Sequence, residues 1–361
     1  MKKNSLLILF YLFTHFLFGQ GFSNVTVLTD EEVIDASVSD TGEFFTVSQP
    51  QSNNVASDGD GLIRKWTTNN TVALTGTLPN DNPVSSAAFP DGDSFAREVH
   101  TSNGNTFAVA QTYGDIISGL DVTAESLFKV PNNLQMDTSI NRLVAFESSF
   151  KSLFSDDNYI YVVYVLFNSN ARLLTNTIDY TQPSAITYNG NGSNIQAWFL
   201  MLDINDVTNI VHAIQLGSQT ANVNALQTSL DSSTNLGEEM YKLNNGHIAF
   251  EYKEDSENYL VVIDPTNPGT STLNPIHTFG PFSGSGQPLQ SISIIDYDGG
   301  YAVSYWGEST IEFLDTNFNV TGKISDVSYF FANSGKPYSM VDTGTYLKVY
   351  NGIASTGDRT I

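Results

Sequence analysis

The side chains best equipped for chemistry in this chain are carboxylates on tight turns and aromatics beside carboxylates. Asp58 and Asp60 in SDGDG, Asp91 and Asp93 in PDGDS, and Asp296 and Asp298 in DYDGG each bring two hard oxygen ligands together on a short turn. Calcium is the cation such oxygens would take, although none of the three completes a twelve-residue loop with its terminal Glu. Asp-Gly is also what an ordinary turn uses, so these pairs have a purely structural reading beside the metal one. A second set couples rings to acids: Tyr113 and Asp115 in QTYGD, Tyr252, Glu254 and Asp255 in EYKEDSEN, and Trp306 and Glu308 in SYWGES. A ring face stacks on the apolar C–H surface of a sugar while the acid accepts its hydroxyl hydrogen bonds. The same residues would suit a basic protein partner, or the rings would simply finish their strands by packing.

Recognisable catalytic constellations are missing from the sequence. It contains no G-x-S-x-G elbow, no H-E-x-x-H, no phosphate-cradling Gly-Lys loop and no dinucleotide fingerprint. The histidines of the mature chain, His100, His212, His247 and His277, are scattered. There is no cysteine, which excludes disulfides and thiolate-ligated zinc or iron–sulfur centres.

What must position these groups is a set of strands. Short runs rich in Val, Ile, Tyr and Phe (FFTVS at 44, FAVAQ at 107, YIYVVYVLF at 159, HIAFEY at 247, YLVVI at 259, YAVSYW at 301) alternate with Gly, Asn, Asp and Thr clusters. No long amphipathic helical stretch occurs, so the chain is expected to be all-β. Two kinds of turn recur. One is a Gly turn feeding a strand: DTGEFF, SNGNTFAV, NNGHIAF, DGGYAV and NSGKPYSM. The other ends a strand at Thr67, Asp121, Asp203, Asp264, Asp315 or Asn351, where the side chain can hold the following backbone. Gly104 to Asp121 spans 17 residues, Gly246 to Asp264 18, Gly299 to Asp315 16 and Gly335 to Asn351 16, which makes the two turns parts of one unit.

Each unit reads as first strand, Gly turn, second strand, variable turn, third strand, Asp turn, outer strand. Four antiparallel strands repeated in this way predict a β-propeller of six or seven blades, one domain over 21–361. The stretch from Phe146 to Gln215 is too long for a plain blade: it either carries an insertion around Thr181 to Asn194 or holds a seventh blade using Asp179. NVTVLT at Asn24 is free to complete the last blade. The strand-then-Asp turns resemble WD-repeat and bacterial surface-layer propellers in architecture. In the families it resembles, the face carrying the turns between second and third strands commonly binds the ligand. That places Tyr113, Asp115, Tyr252, Glu254, Asp255, Trp306 and Glu308 on one rim.

Lys2 and Lys3 ahead of the apolar run Leu6–Phe18 predict a signal peptide over 1–20, hence an exported chain with no transmembrane segment after cleavage. Net charge is −23, with 15 basic against 38 acidic residues, and grows more negative when Lys2 and Lys3 leave. Such acidity opposes nucleic acid and anionic membrane as partners. The sequence therefore points to a secreted, periplasmic or cell-surface binding module for a glycan or a protein, with no cofactor unless calcium. A propeller-fold carbohydrate-active enzyme using paired carboxylates, and a calcium-stiffened structural protein, are the alternatives.

Overall fold

A computed structural model describes residues 31–39, 42–50, 61–67, 71–79, 94–117, 120–136, 140–166, 169–177, 181–186, 196–216, 240–254, 257–266, 277–282, 292–305, 310–324, 339–342 and 347–350. Among them there is no helix. The strands form six successive antiparallel sheets. The first holds β1 (Glu31–Val38), β2 (Phe44–Pro50), β3 (Leu62–Trp66) and β4 (Val72–Thr77) in chain order. The second holds β5 (Ser94–Ser102), β6 (Asn105–Ile117), β7 (Leu120–Lys129) and β8 (Arg142–Phe146), with β11 (Arg172–Thr175) added beside β8. The third is built from β9 (Ser148–Ser155), β10 (Tyr159–Leu166), β12 (Gln196–Asp203) and β13 (Asp206–Leu216).

The fourth contains β14 (Met240–Lys242), β15 (Ile248–Glu254), β16 (Glu257–Ile263) and β17 (His277–Phe282), and the fifth β18 (Ile292–Tyr297), β19 (Gly300–Tyr305), β20 (Thr310–Leu314) and β21 (Val320–Ile324). β22 (Ser339–Asp342) pairs with β23 (Leu347–Tyr350), and β22 lies against β18.

Alternation along each strand turns this series of sheets into a propeller. Successive side chains of a strand point to opposite faces, and here the two faces belong to two different neighbours. In β6, Ala108 and Ala110 pack with Phe45 and Ile63 of the first sheet, while Phe107 and Val109 pack with Ile160 and Val162 of the third. In β10, Val162 and Tyr164 face the second sheet, and Tyr161 and Val163 join Ile248 and Phe250 of the fourth. In the fourth sheet, Ala249 and Val262 turn to Ile294 and Val303 of the fifth. Each middle strand is therefore buried on both faces, which is why YIYVVYVL is apolar throughout rather than alternating.

First strands converge and fourth strands spread. β1 lies against β5, β5 against β9 and β9 against β14, whereas β4 and β21 are mostly exposed.

Both turn types occupy the expected places in most blades. Gly42, Gly104, Gly246 and Gly299 have φ between 74° and 86° in the turns between first and second strands, a conformation that costs an L side chain about 1–2 kcal/mol. Asp203 Oδ1 accepts the Asn205 N–H at 2.8 Å, Asp264 Oδ1 the Thr266 N–H at 2.9 Å, and Asp315 Oδ1 the Asn317 N–H at 2.8 Å. Thr67 Oγ1 does the same for Thr71 at 3.2 Å. Asn351 lies outside the described residues.

The second blade departs from the expected pattern. Asp121 is near the beginning of β7, not at the end of a third strand, because β6 runs on to Ile117 and pairs with β7 through Ile117 and Leu120. The turn that follows the third strand is Pro131–Asn133, where Asn133 Oδ1 accepts the Gln135 N–H at 3.0 Å. The 17-residue offset in that blade is thus a coincidence.

The stretch from Phe146 to Gln215 forms one blade with an insertion. Between β10 and β12 the chain leaves its own sheet, pairs as β11 with β8 of the preceding blade, and returns. Asp179 and the NVTVLT segment lie outside the described residues.

Candidate functional site

The expected rim can be followed along the backbone. Tyr113 and Asp115 lie toward the end of β6, with Tyr113 opposite Thr123 of β7. Tyr252 and Glu254 lie toward the end of β15, opposite Tyr259 and Glu257. All four occupy ends of second strands, where the expected face begins. Asp255, Trp306 and Glu308 lie outside the described residues, as do Asp58, Asp60, Asp91 and Asp93.

Asp296 and Asp298 are described. Asp298 is exposed at φ 48° in the turn between β18 and β19. Asp296, half-buried on β18, accepts the Asn244 N–H of the fourth blade at 2.9 Å. Burial raises its pKa against that hydrogen bond. It ties two blades together. Among the described residues no three His, Asp or Glu side chains converge as metal ligands would.

The same use of carboxylates recurs where the first strands converge. Asp35 Oδ2 on β1 accepts the Val99 N–H of β5 at 2.9 Å, and Ser37 Oγ accepts the Thr101 N–H at 2.9 Å. One blade on, Glu98 Oε1 accepts the Ser152 N–H of β9 at 3.2 Å and His100 Nδ1 accepts the Ser155 N–H at 3.1 Å. That bond fixes the His100 tautomer with the proton on Nε2.

Each of these first strands carries a one-residue bulge. The pairing register skips Ile34 in β1, Arg97 in β5 and Ser152 in β9. A bulge re-aims its side chain and frees backbone groups from the ladder, and here the residue after the bulge, Asp35 or Glu98, takes an N–H from the next blade.

A buried charged cluster lies between the second and third blades. Glu125 on β7 stands directly opposite Gln111 of β6 and is only 4% exposed. Its Oε2 accepts the Phe150 N–H at 2.6 Å, and both oxygens lie 2.9 Å from Ser149 Oγ. The bulged Arg97 crosses to it, with Nε 3.9 Å from Glu125 Oε1 and Nη2 donating to Gln111 Oε1. Burial raises the Glu125 pKa, opposed by the charges of Lys151 and Arg97 and by the bonds from Phe150 and Ser149.

Glu125 belongs to no expected site because the second blade reads one strand out of place. With the third strand expected to end in a turn at Asp121, Glu125 falls beyond it and carries no requirement for burial. In the true third strand, buried on both faces, the same Glu requires partners.

A further tie joins the third and fourth blades. Asp156, in the turn after β9, receives Lys242 Nζ at 2.6 Å and Tyr161 Oη at 3.0 Å, together with the backbone N–H groups of Asn158 and Tyr159. On the same face, beside the Gly turns, a cleft of about 390 Å³ opens between the first two blades and is lined by Glu43, Phe45, Lys65, Thr106 and Pro131. Lys65 is paired with Glu43 there and lies 5.4 Å from the Phe45 ring centroid.

No protein family's sequence profile matches the chain, and no curated protein does. Among solved structures, the polysaccharide lyase Uly1 is similar at 8% identity and a TM-score of 0.39, over 79% of this chain and 56% of that one. A Synechocystis apocarotenoid oxygenase is similar at 11% and 0.37, over 80% and 59%, and a B. megaterium levansucrase at 12% and 0.33, over 92% and 87%. The chain spans little more than half the length of the first two. Likenesses of this depth say nothing about activity or ligand.

Proposed function

We propose that this protein is an exported binding module without catalytic activity, taking a glycan or a protein on the face formed by the turns between second and third strands. What supports this reading is the fate of the carboxylates. Asp35, Glu98, Glu125, Asp156, Asp264, Asp296 and Asp315 all accept backbone N–H groups, either holding turns or tying one blade to the next.

A glycosidase-type mechanism needs two carboxyl groups about 5–10 Å apart, both open to substrate. Glu125, the most buried acid among the described residues, has its oxygens engaged by Phe150 and Ser149. The signal-peptide reading of 1–20 is part of the same proposal and carries the export.

The test is a glycan array together with a pull-down, both using the purified mature chain. Retention of a defined ligand, without change to that ligand, is the expected result. Measurable turnover of a polysaccharide with no ligand retained above background would overturn the reading.

A further inference from the structure

The cleft of about 390 Å³ on the Gly-turn face lies in the size range of small-molecule sites. One wall belongs to the first blade, where Glu43 precedes β2, Phe45 lies on β2 and Lys65 stands opposite it on β3. The other belongs to the second blade, with Gly104 in the turn between β5 and β6 and with Val130 and Pro131 after β7. Both walls are held in place. Phe45 and Val130 are part of the core between the two blades. The Val130 N–H donates to the Thr106 carbonyl at 2.8 Å, and the Leu134 N–H to the Pro131 carbonyl at 2.9 Å. A cleft with fixed walls loses little freedom when it binds.

Glu43 and Lys65 keep 36% and 28% of their side chains exposed at this cleft. Lys65 Nζ donates to Glu43 Oε1 and, among the described residues, to no other acceptor. Glu43 Oε2 and the remaining ammonium N–H groups are therefore open to a ligand. An acceptor beside donors, in a pair without net charge, matches the adjacent hydroxyls of a sugar ring, each of which both donates and accepts. Val130 and Pro131 offer apolar surface to the ring's C–H groups. Gly104 has φ 76°, and a Cβ there would meet nothing within 4 Å, so this side of the cleft is open.

We propose that this cleft binds a neutral sugar residue of a glycan, held by Glu43 and Lys65 against Val130 and Pro131. The inference goes beyond the rim reading, because the cleft lies beside the Gly turns and not on the face of the turns between second and third strands. Charged ligands fit it less well. The net charge of −23 repels an anion, and Lys65 repels a cation. The ring at this cleft, Phe45, is only 4% exposed with Lys65 over it, which leaves little aromatic face for stacking. Binding is therefore expected to be weak, with a Kd of about 1 mM. For a neutral ligand the affinity should change little between about 10 and 150 mM salt.

The test is ligand-observed NMR titration of the mature chain with the methyl pyranosides of glucose, galactose and mannose, with glucuronate, and with a blocked dipeptide, whose amides also pair donor with acceptor. Gly104→Asn is the principal variant, since Asn tolerates positive φ and its Cβ enters open space at the cleft. Glu43→Gln and Lys65→Met carry the test if Gly104→Asn fails to fold. Lys323→Gln, on exposed β21, is the control. The expected result is binding of at least one neutral pyranoside, ahead of glucuronate and the dipeptide, weakened roughly tenfold or more by Gly104→Asn and by Glu43→Gln. The melting temperature of Glu43→Gln should barely change, because the pair it breaks is partly exposed. Lys323→Gln should have no effect on binding. Tighter binding of glucuronate or of the dipeptide, pyranoside binding indifferent to the cleft variants, or no pyranoside binding overturns the inference. Pyranoside binding lost in Tyr252→Ala but kept in the cleft variants would also overturn it and would favour the rim. Retention of a polymeric glycan without pyranoside binding leaves the rim reading standing and removes the cleft.

Discussion

Glu125 is the side chain through which burial, charge and pH dependence can be measured together. Truncation to Ala would strand the Phe150 N–H, Ser149 Oγ and Arg97, and removing one partner of a buried charged network costs about 3–5 kcal/mol. Glu125→Gln keeps an acceptor and removes the charge. Because burial raises the folded-state pKa above 4.5, the folded protein holds this proton more tightly than the unfolded chain. The stability contribution of Glu125 is therefore full below that unfolded value and is lost as pH rises through the folded one. Urea midpoints measured from about pH 4 to pH 8 should shift progressively in favour of Glu125→Gln over the parent. A pH-independent difference would mean that the carboxyl titrates alike in both states.

Asp156 has the opposite sign. Burial by itself would raise it, but the hydrogen bond from Lys242, the N–H groups of Asn158 and Tyr159 and the Lys242 charge hold it below 3.8. Its contribution is present above 3.8 and disappears as pH falls through the lower folded value. Asp156→Asn should cost roughly 1 kcal/mol near neutrality, and the gap to the parent should close in acid.

Individual strands and turns show where backbone conformation, rather than side-chain contact, sets tolerance. Gly246 has φ 86°, yet a Cβ there would meet nothing within 4 Å. Gly246→Ala should therefore cost only the left-handed strain, about 1–2 kcal/mol, and Gly246→Asn less. Gly76 on β4 is the reverse case, since a Cβ there would come within 2.2 Å of the Leu134 carbonyl oxygen in the next blade. Gly76→Ala cannot be accommodated unless β4 moves, so it should destabilise more than Gly246→Ala. Thermal melts of the two variants side by side provide the comparison. Strand β11 makes a third prediction. Leu173 is fully buried in the core between the second and third blades, contributed by a strand that left its own sheet. Leu173→Ala should cost about 2–5 kcal/mol, as much as a core residue of an ordinary blade strand.

Across the whole molecule, successive blades depend on one another because every middle sheet buries each face against a different neighbour. Phe199 and Phe250 stack across the seam between the third and fourth blades, with ring centroids 5.3 Å apart. Phe250→Ala should cost about 3–5 kcal/mol and lower the stability of both blades in one transition when unfolding is followed by hydrogen exchange. The net charge of −23 acts on the same scale: self-repulsion opposes compaction, so raising salt from about 10 to 150 mM should raise the melting temperature.

The sequence alone determined the all-β class, the blade unit and the two turn chemistries. Short runs rich in Val, Ile, Tyr and Phe, Gly at positive φ and Asp capping its own turn are local properties that any window of ten residues expresses. It also kept open the reading of Phe146 to Gln215 as one blade with an insertion. Tertiary structure alone decided which strand of the second blade was third, and hence that Glu125 is buried, because Asp121 begins a strand as readily as it ends one. It likewise assigned β11 to the preceding sheet and Asp35, Glu98 and Asp296 to their backbone donors in neighbouring blades. Those pairings join residues more than fifty positions apart for Glu98 and Asp296, and more than sixty for Asp35. Local spacing carries no trace of contacts that exist only once the blades pack face to face.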